Sequence, residues 1–150
     1  MAKELSQDYK ALQPFTRLIG DWKLKHRDLN TGKEWGGNDT FAWLPGDRFL
    51  TFRHHEDSGI DGLMVIGKEM GWEETEPSSE IIGHWFESSS GYHYKYIWEI
   101  TGDTVQFWLN SKESGMFFKG TFSEDDNTIN GTWKWPGGGY DLIMNGVHDQ

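Results

Sequence analysis

From Gly20 onward the chain alternates apolar and polar residues with a period of two, in short runs separated by turn residues. That is the pattern of half-buried β-strands. The runs fall near 20–28, 35–43, 48–55, 62–68, 81–87, 92–100, 104–110, 116–122, 129–135 and 140–146. Turn chemistry joins them: Leu44-Pro45-Gly46-Asp47, Ser88-Ser89-Ser90-Gly91, Thr101-Gly102-Asp103, Glu124-Asp125-Asp126-Asn127 and Pro136-Gly137-Gly138-Gly139. Residues 68–80 form one long polar loop, and no helix-sized crossover separates any two runs, so neighbours pair antiparallel. About ten such strands can close on themselves with room for a ligand. The expected fold is therefore all-β, a closed antiparallel up-and-down barrel formed by residues 1–150 as one domain. A short N-terminal helix over 5–18 precedes it. Ser6 caps this helix, Leu5, Tyr9, Leu12 and Phe15 form its apolar stripe, and Pro14 ends or bends it.

Loop length carries the inward face from strand to strand, because an even loop pairs odd positions with even ones. The run 92–100 alternates Tyr92, Tyr94, Tyr96, Trp98 and Ile100 with His93, Lys95, Ile97 and Glu99. With its aromatic face inward, Val105, Phe107 and Leu109 follow on one side, and Glu87 and Trp85 on the other. Independently, Met116, Phe118, Gly120 and Phe122 face Ile129, Gly131, Trp133 and Trp135, and Tyr140, Leu142 and Met144 join them. Near the start, Asp39, Phe41 and Trp43 point inward. An even loop at 44–47 places Leu50, Phe52 and His54 beside them, whereas a three-residue loop with a bulge brings in Thr51, Arg53 and His55 instead. Both registers are open at this point.

Composition changes the picture in two ways. The chain holds 9 Trp, 9 Phe and 5 Tyr although only 35% of its residues are hydrophobic. A wholly packed barrel draws on Val, Ile and Leu, so few, large, flat groups point to an interior cavity. The net charge of −10, with acids spread along the chain, disfavours nucleic acid and anionic membrane as partners. There is no cysteine, hence no disulfide or thiolate chemistry. The N-terminus lacks an apolar run, which makes the cytoplasm the expected location.

Gly20-Asp21-Trp22, on the first strand after a short helix, resembles the Gly-x-Trp signature of lipocalin and calycin barrels. The segments Trp43-Leu44-Pro45-Gly46-Asp47-Arg48-Phe49-Leu50, Ile66-Gly67, Trp85-Phe86-Glu87-Ser88 and Gly120-Thr121-Phe122-Ser123-Glu124-Asp125-Asp126-Asn127-Thr128-Ile129-Asn130-Gly131-Thr132-Trp133 resemble those of an uncharacterised bacterial lipocalin-like family. The resemblance spans most of 15–145. It implies a calycin-type barrel of lipocalin or fatty-acid-binding-protein shape, with Trp22 as a plug across one end, and no established activity. Similarity to nitrobindins, haem-binding barrels of like size, is distant: Trp22 is followed by Lys23, Leu24, Lys25 and His26 rather than their glycine-rich pattern. The His that a haem needs would have to be His148, in a terminal tail, so no cofactor is expected.

The inward polar set is His26, Asp39, His54, Tyr94, Tyr96 and Glu87. Buried imidazoles and carboxylates need partners, and a few polar groups in an apolar cavity are how small-molecule sites orient a ligand. The principal reading is a binding protein. A small apolar or aromatic molecule stacks among Trp43, Phe52, Trp85, Tyr94, Tyr96, Trp98, Phe118 and Trp133 and is oriented by His26, Asp39 and His54. A second reading is a cofactor-independent cyclase, isomerase or lyase with Asp39–His54 as general base and Tyr94 or Tyr96 as acid. A third is an interaction domain with a filled core, anchored through the loop at Trp72. His54 and His55 are neighbours on a strand and point to opposite faces, and His84 and His93 point outward, so no metal site is expected.

Overall fold

The computed structural model describes residues 7–147. Ten strands follow in order: β1 (Gly20–Asp28), β2 (Glu34–Trp43), β3 (Phe49–Glu56), β4 (Asp61–Lys68), β5 (Ile81–Glu87), β6 (Tyr92–Thr101), β7 (Thr104–Leu109), β8 (Phe117–Phe122), β9 (Thr128–Trp135) and β10 (Gly138–Val147). Each pairs antiparallel with its sequence neighbour, and β10 returns to pair with β1, which closes the barrel and leaves no sheet edge. The periodicity placed all ten to within two residues. The largest shift is at β10, which begins at Gly138 because Pro136-Gly137 alone makes the turn. A two-residue loop is even, as a four-residue loop is, so the inward face of β10 is unchanged.

The same parity settles the register that composition left open. Trp43 pairs with Leu50, Phe41 with Phe52 and Asp39 with His54. The even loop holds, and Arg53 and His55 point out.

The N-terminal segment Gln7–Leu18 is a 3₁₀ helix rather than an α-helix. Tyr9, Leu12, Phe15 and Leu18 recur every three residues and are all buried. In a 3₁₀ helix positions i and i+3 lie directly above one another, so this spacing makes one straight apolar ridge. Pro14 lies inside the helix on its solvent side and does not end it. Leu5 and Ser6 lie outside the described residues. The ridge seals one end of the barrel, where Trp22 donates its Nε1–H to the Leu18 carbonyl at 2.7 Å. Arg17 fastens the segment across two turns: it donates to the Gly102 carbonyl at 2.7 Å and pairs with Asp103 and Asp126, with its guanidinium 4.0 Å above the Phe122 ring.

The large aromatic side chains fit inside because inward glycines lie beneath them. A Cβ on Gly62 would stand 2.1 Å from the Trp85 ring and 2.7 Å from the Phe86 carbonyl. Gly131 is covered by Phe118 in the same way. Gly62→Ala is therefore expected to lose about 1–3 kcal/mol in urea denaturation by overpacking. It should also perturb the tryptophan near-ultraviolet circular dichroism, since Trp85 must tilt off its seat.

Candidate functional site

Strand alternation and register gather the chemistry at the end of the barrel away from the 3₁₀ segment. The last turns of β1 and β3 and the first of β2 and β10 meet there, bringing in His26, Trp35, Asp39, His54, Glu56 and Tyr140. They form the polar end of an interior cavity of about 380 Å³, a size suited to a small molecule. Apart from Glu87, the rest of the wall is mostly apolar and aromatic. Phe107 stacks on Trp98 at 4.3 Å, on Phe118 at 5.1 Å and on Trp133 at 5.5 Å, while Phe41 stacks on Phe52 at 4.5 Å.

His54 holds the polar end together. Its Nδ1–H donates to Asp39 Oδ1 at 2.6 Å and its Nε2–H to Glu56 Oε2 at 2.7 Å. Trp35 Nε1–H donates to Glu56 Oε1 at 2.6 Å. Burial opposes a charge on His54, but a carboxylate on each ring nitrogen outweighs it and pushes the pKa up to about 10. Burial likewise resists ionisation of Glu56, yet the contacts from His54 and Trp35 hold its carboxyl below the usual range. Burial pushes Asp39 up, with the His54 contact acting against it. The short Asp39–His54 contact is that of a charge-assisted bond, with the proton shared between the two groups.

His26 is fully buried, and its ring stacks on Trp35 at 4.9 Å with the planes 2° apart. Burial pushes its pKa down and keeps it neutral, although Glu56 and the Trp35 carbonyl act the other way. Its Nδ1 faces the Trp35 carbonyl at 3.3 Å. A carbonyl only accepts, which assigns the proton to Nδ1 and the lone pair to Nε2. That Nε2 has no hydrogen-bond partner and lies 4.0 Å from Glu56 Oε1. Tyr140 sets its ring edge-on to both His26 and Trp35, and burial above all pushes its phenol well above the usual range.

Of the side chains that the sequence nominates, His26, Asp39, Phe52, His54, Trp85, Tyr96, Trp98, Phe118 and Trp133 line the cavity. Trp43 and Tyr94 do not. Trp43 sits opposite Leu50, beyond the cavity floor at the sealed end. Tyr94 is at the rim, 36% exposed and stacked on Tyr92. Parity names a face; depth along the barrel decides whether that face meets the cavity. Glu87 lines the cavity and takes a hydrogen bond from the Ser90 hydroxyl. For the general-base role, both ring nitrogens of His54 are already hydrogen-bonded, to Asp39 and Glu56. The neutral imidazole with a free lone pair is His26. His55 points outward, bound to Asp61 at 2.7 Å.

Trp35 and Glu56 were missed, although the signal was present. Each lies on the inward parity of its strand, four residues before Asp39 and two after His54. Glu56 fell one residue beyond the strand boundary drawn from periodicity. His148 lies outside the described residues.

No protein-family model matches the chain, and no curated protein matches it. Among solved structures it is similar to the crystal structure of Rv2717c from M. tuberculosis, with a TM-score of 0.42 and 13% sequence identity over 97% of this chain and 100% of that one. Likeness at that level carries no argument about the site. Among the described residues no helix is long and apolar enough to cross a membrane.

Proposed function

We propose that the chain is a calycin-like binding protein that takes up a small apolar or aromatic molecule in the barrel, with the aromatic wall stacking on its body and the His26–Glu56 end orienting it. The observation that carries this reading is the cavity itself: about 380 Å³, with stacked aromatic walls and its polar groups gathered at one end. A filled core would have left the interaction-domain reading as the simpler one. The exposed Trp72 remains without a partner that the structure points to. The enzyme reading finds both ring nitrogens of His54 already engaged by Asp39 and Glu56.

Indole is a suitable neutral probe. Its titration is expected to give a saturable change in tryptophan fluorescence, because Trp35, Trp85, Trp98 and Trp133 all line the cavity. Ile60, in the β3–β4 turn, lines the cavity from a partly exposed position. Ile60→Trp should obstruct it and weaken indole binding by roughly tenfold or more while the circular dichroism spectrum is kept. Indole affinity unchanged in that variant would place binding elsewhere and sink the proposal.

A further inference from the structure

The polar end of the cavity presents one buried acceptor with no partner, beside a carboxylate oxygen that takes the Trp35 Nε1–H and the Ser58 hydroxyl. His26 Nε2 carries a lone pair, is fully buried and has no partner. Glu56 Oε1, 4.0 Å away, is also an acceptor. Two acceptors so placed repel each other unless a donor stands between them. A donor that reaches both at about 2.8 Å must bring two hydrogens and part the contacts that bury Nε2.

Neither His54 nor Trp35 has such a hydrogen to lend. Both N–H groups of His54 are bound to Asp39 and Glu56, and the Trp35 N–H is bound to Glu56. The surroundings favour positive charge. Two acids, Asp39 and Glu56, face the single imidazole of His54, and the rings of Trp35 and Tyr140 lie against His26. The chain as a whole is at −10, which draws cations toward the site.

We propose, resting on the binding reading above, that the cavity selects ligands with a flat apolar body and a cationic nitrogen bearing at least two N–H groups, a primary ammonium or an amidinium, seated between His26 Nε2 and Glu56 Oε1. A hydroxyl brings one hydrogen and leaves one acceptor unpaired. A carboxylate brings none and adds a like charge. The apolar body then lies along Phe52, Trp98, Phe107 and Trp133, which continue the cavity from the polar end.

Four probes that share one ring test this: tryptamine, indole-3-ethanol, indole-3-acetate and indole, titrated calorimetrically at pH 7 in about 150 mM salt, where surface charge is largely screened. Tryptamine should bind at least about tenfold more tightly than indole-3-ethanol, as a charge-assisted contact exceeds a neutral one, and indole-3-acetate should be weakest. Equal affinity for tryptamine and indole-3-ethanol, or a preference for the acetate, would overturn the proposal and leave the gap to water. If indole binds and tryptamine gains nothing over it, the binding reading stands and this inference fails. If no probe binds, both fail. Glu56→Gln keeps the size of the side chain and should erase most of the tryptamine advantage. His26→Phe, which preserves the stack on Trp35, should reduce it as well. An undiminished advantage in either folded variant overturns the assignment, and if neither variant folds the wild-type series decides alone.

Discussion

Replacing His54 by alanine is expected to destabilise the barrel by about 3–5 kcal/mol, the usual cost of removing one partner from a buried ion pair. The His54 ring bridges the two buried acids Asp39 and Glu56. Asp39 is 3% exposed and Glu56 6%, and without His54 each is left desolvated with no cation beside it. The pH dependence identifies the cause. His54 binds its proton more tightly folded, with a pKa of about 10 against an ordinary 6.5. Its contribution is therefore full below pH 6.5, declines by roughly 1.4 kcal/mol per pH unit above it, and is gone above about pH 10. Glu56 acts in the opposite sense: its pKa is lowered on folding, so its contribution is present above the ordinary carboxylate range and is lost as pH falls through the folded value. Urea denaturation of wild type at pH 7 and pH 9 should show a marked loss of stability, and His54→Ala should show a much shallower one. Parallel slopes for the two proteins would mean that His54 is not held as the imidazolium.

Phe15→Ala should cost a similar amount, about 3–5 kcal/mol, although Phe15 belongs to no strand. Its ring is fully buried at the sealed end, 6.1 Å from the Trp98 ring and tilted by 57°. Truncation removes the largest fully buried side chain of the 3₁₀ ridge and opens a void directly beneath the cavity floor. The expected readouts are a lower urea midpoint and an altered near-ultraviolet signal from Trp98. A loss below about 1 kcal/mol would show that the ridge rests on the barrel without sealing it, because a void that collapses completely costs only the transfer of the lost atoms. The prediction also bears on binding, since a floor that yields enlarges the space available to an apolar body.

Much of the architecture is legible in the chain because a β-barrel is written in local rules. Side chains alternate, turns carry Gly, Pro, Asn and Asp, and even loops preserve parity. Tyr96, Trp98, Val105, Phe107 and Phe118 could therefore be assigned to the interior without coordinates, and all of them line the cavity. The loop at Leu44-Pro45-Gly46-Asp47 was the weak point, since a three-residue loop with a bulge there would have exchanged His54 for His55. The 3₁₀ segment was readable as a helix but not as its type. The stripe Tyr9, Leu12, Phe15 suits either kind of helix, and only the burial of Leu18 as its fourth member shows the three-residue repeat.

The candidate site divides along the same line. Alternation and loop parity, which act over a few residues, set the inward face of most strands, the aromatic interior and the place of His26 in it, while the choice of His54 over His55 waited on the β2–β3 register. Depth and partnership were decided only by the tertiary structure. Closure of β10 onto β1 brings Tyr140 beside His26, the β2–β3 register sets Glu56 against Trp35 and His54, and the same geometry carries Trp43 below the cavity and Tyr94 up to its rim. The unsatisfied His26 nitrogen, on which ligand choice is proposed to turn, is likewise invisible in the chain. A hydrogen bond is a matter of tenths of an ångström between strands distant in sequence, and no local pattern encodes that distance.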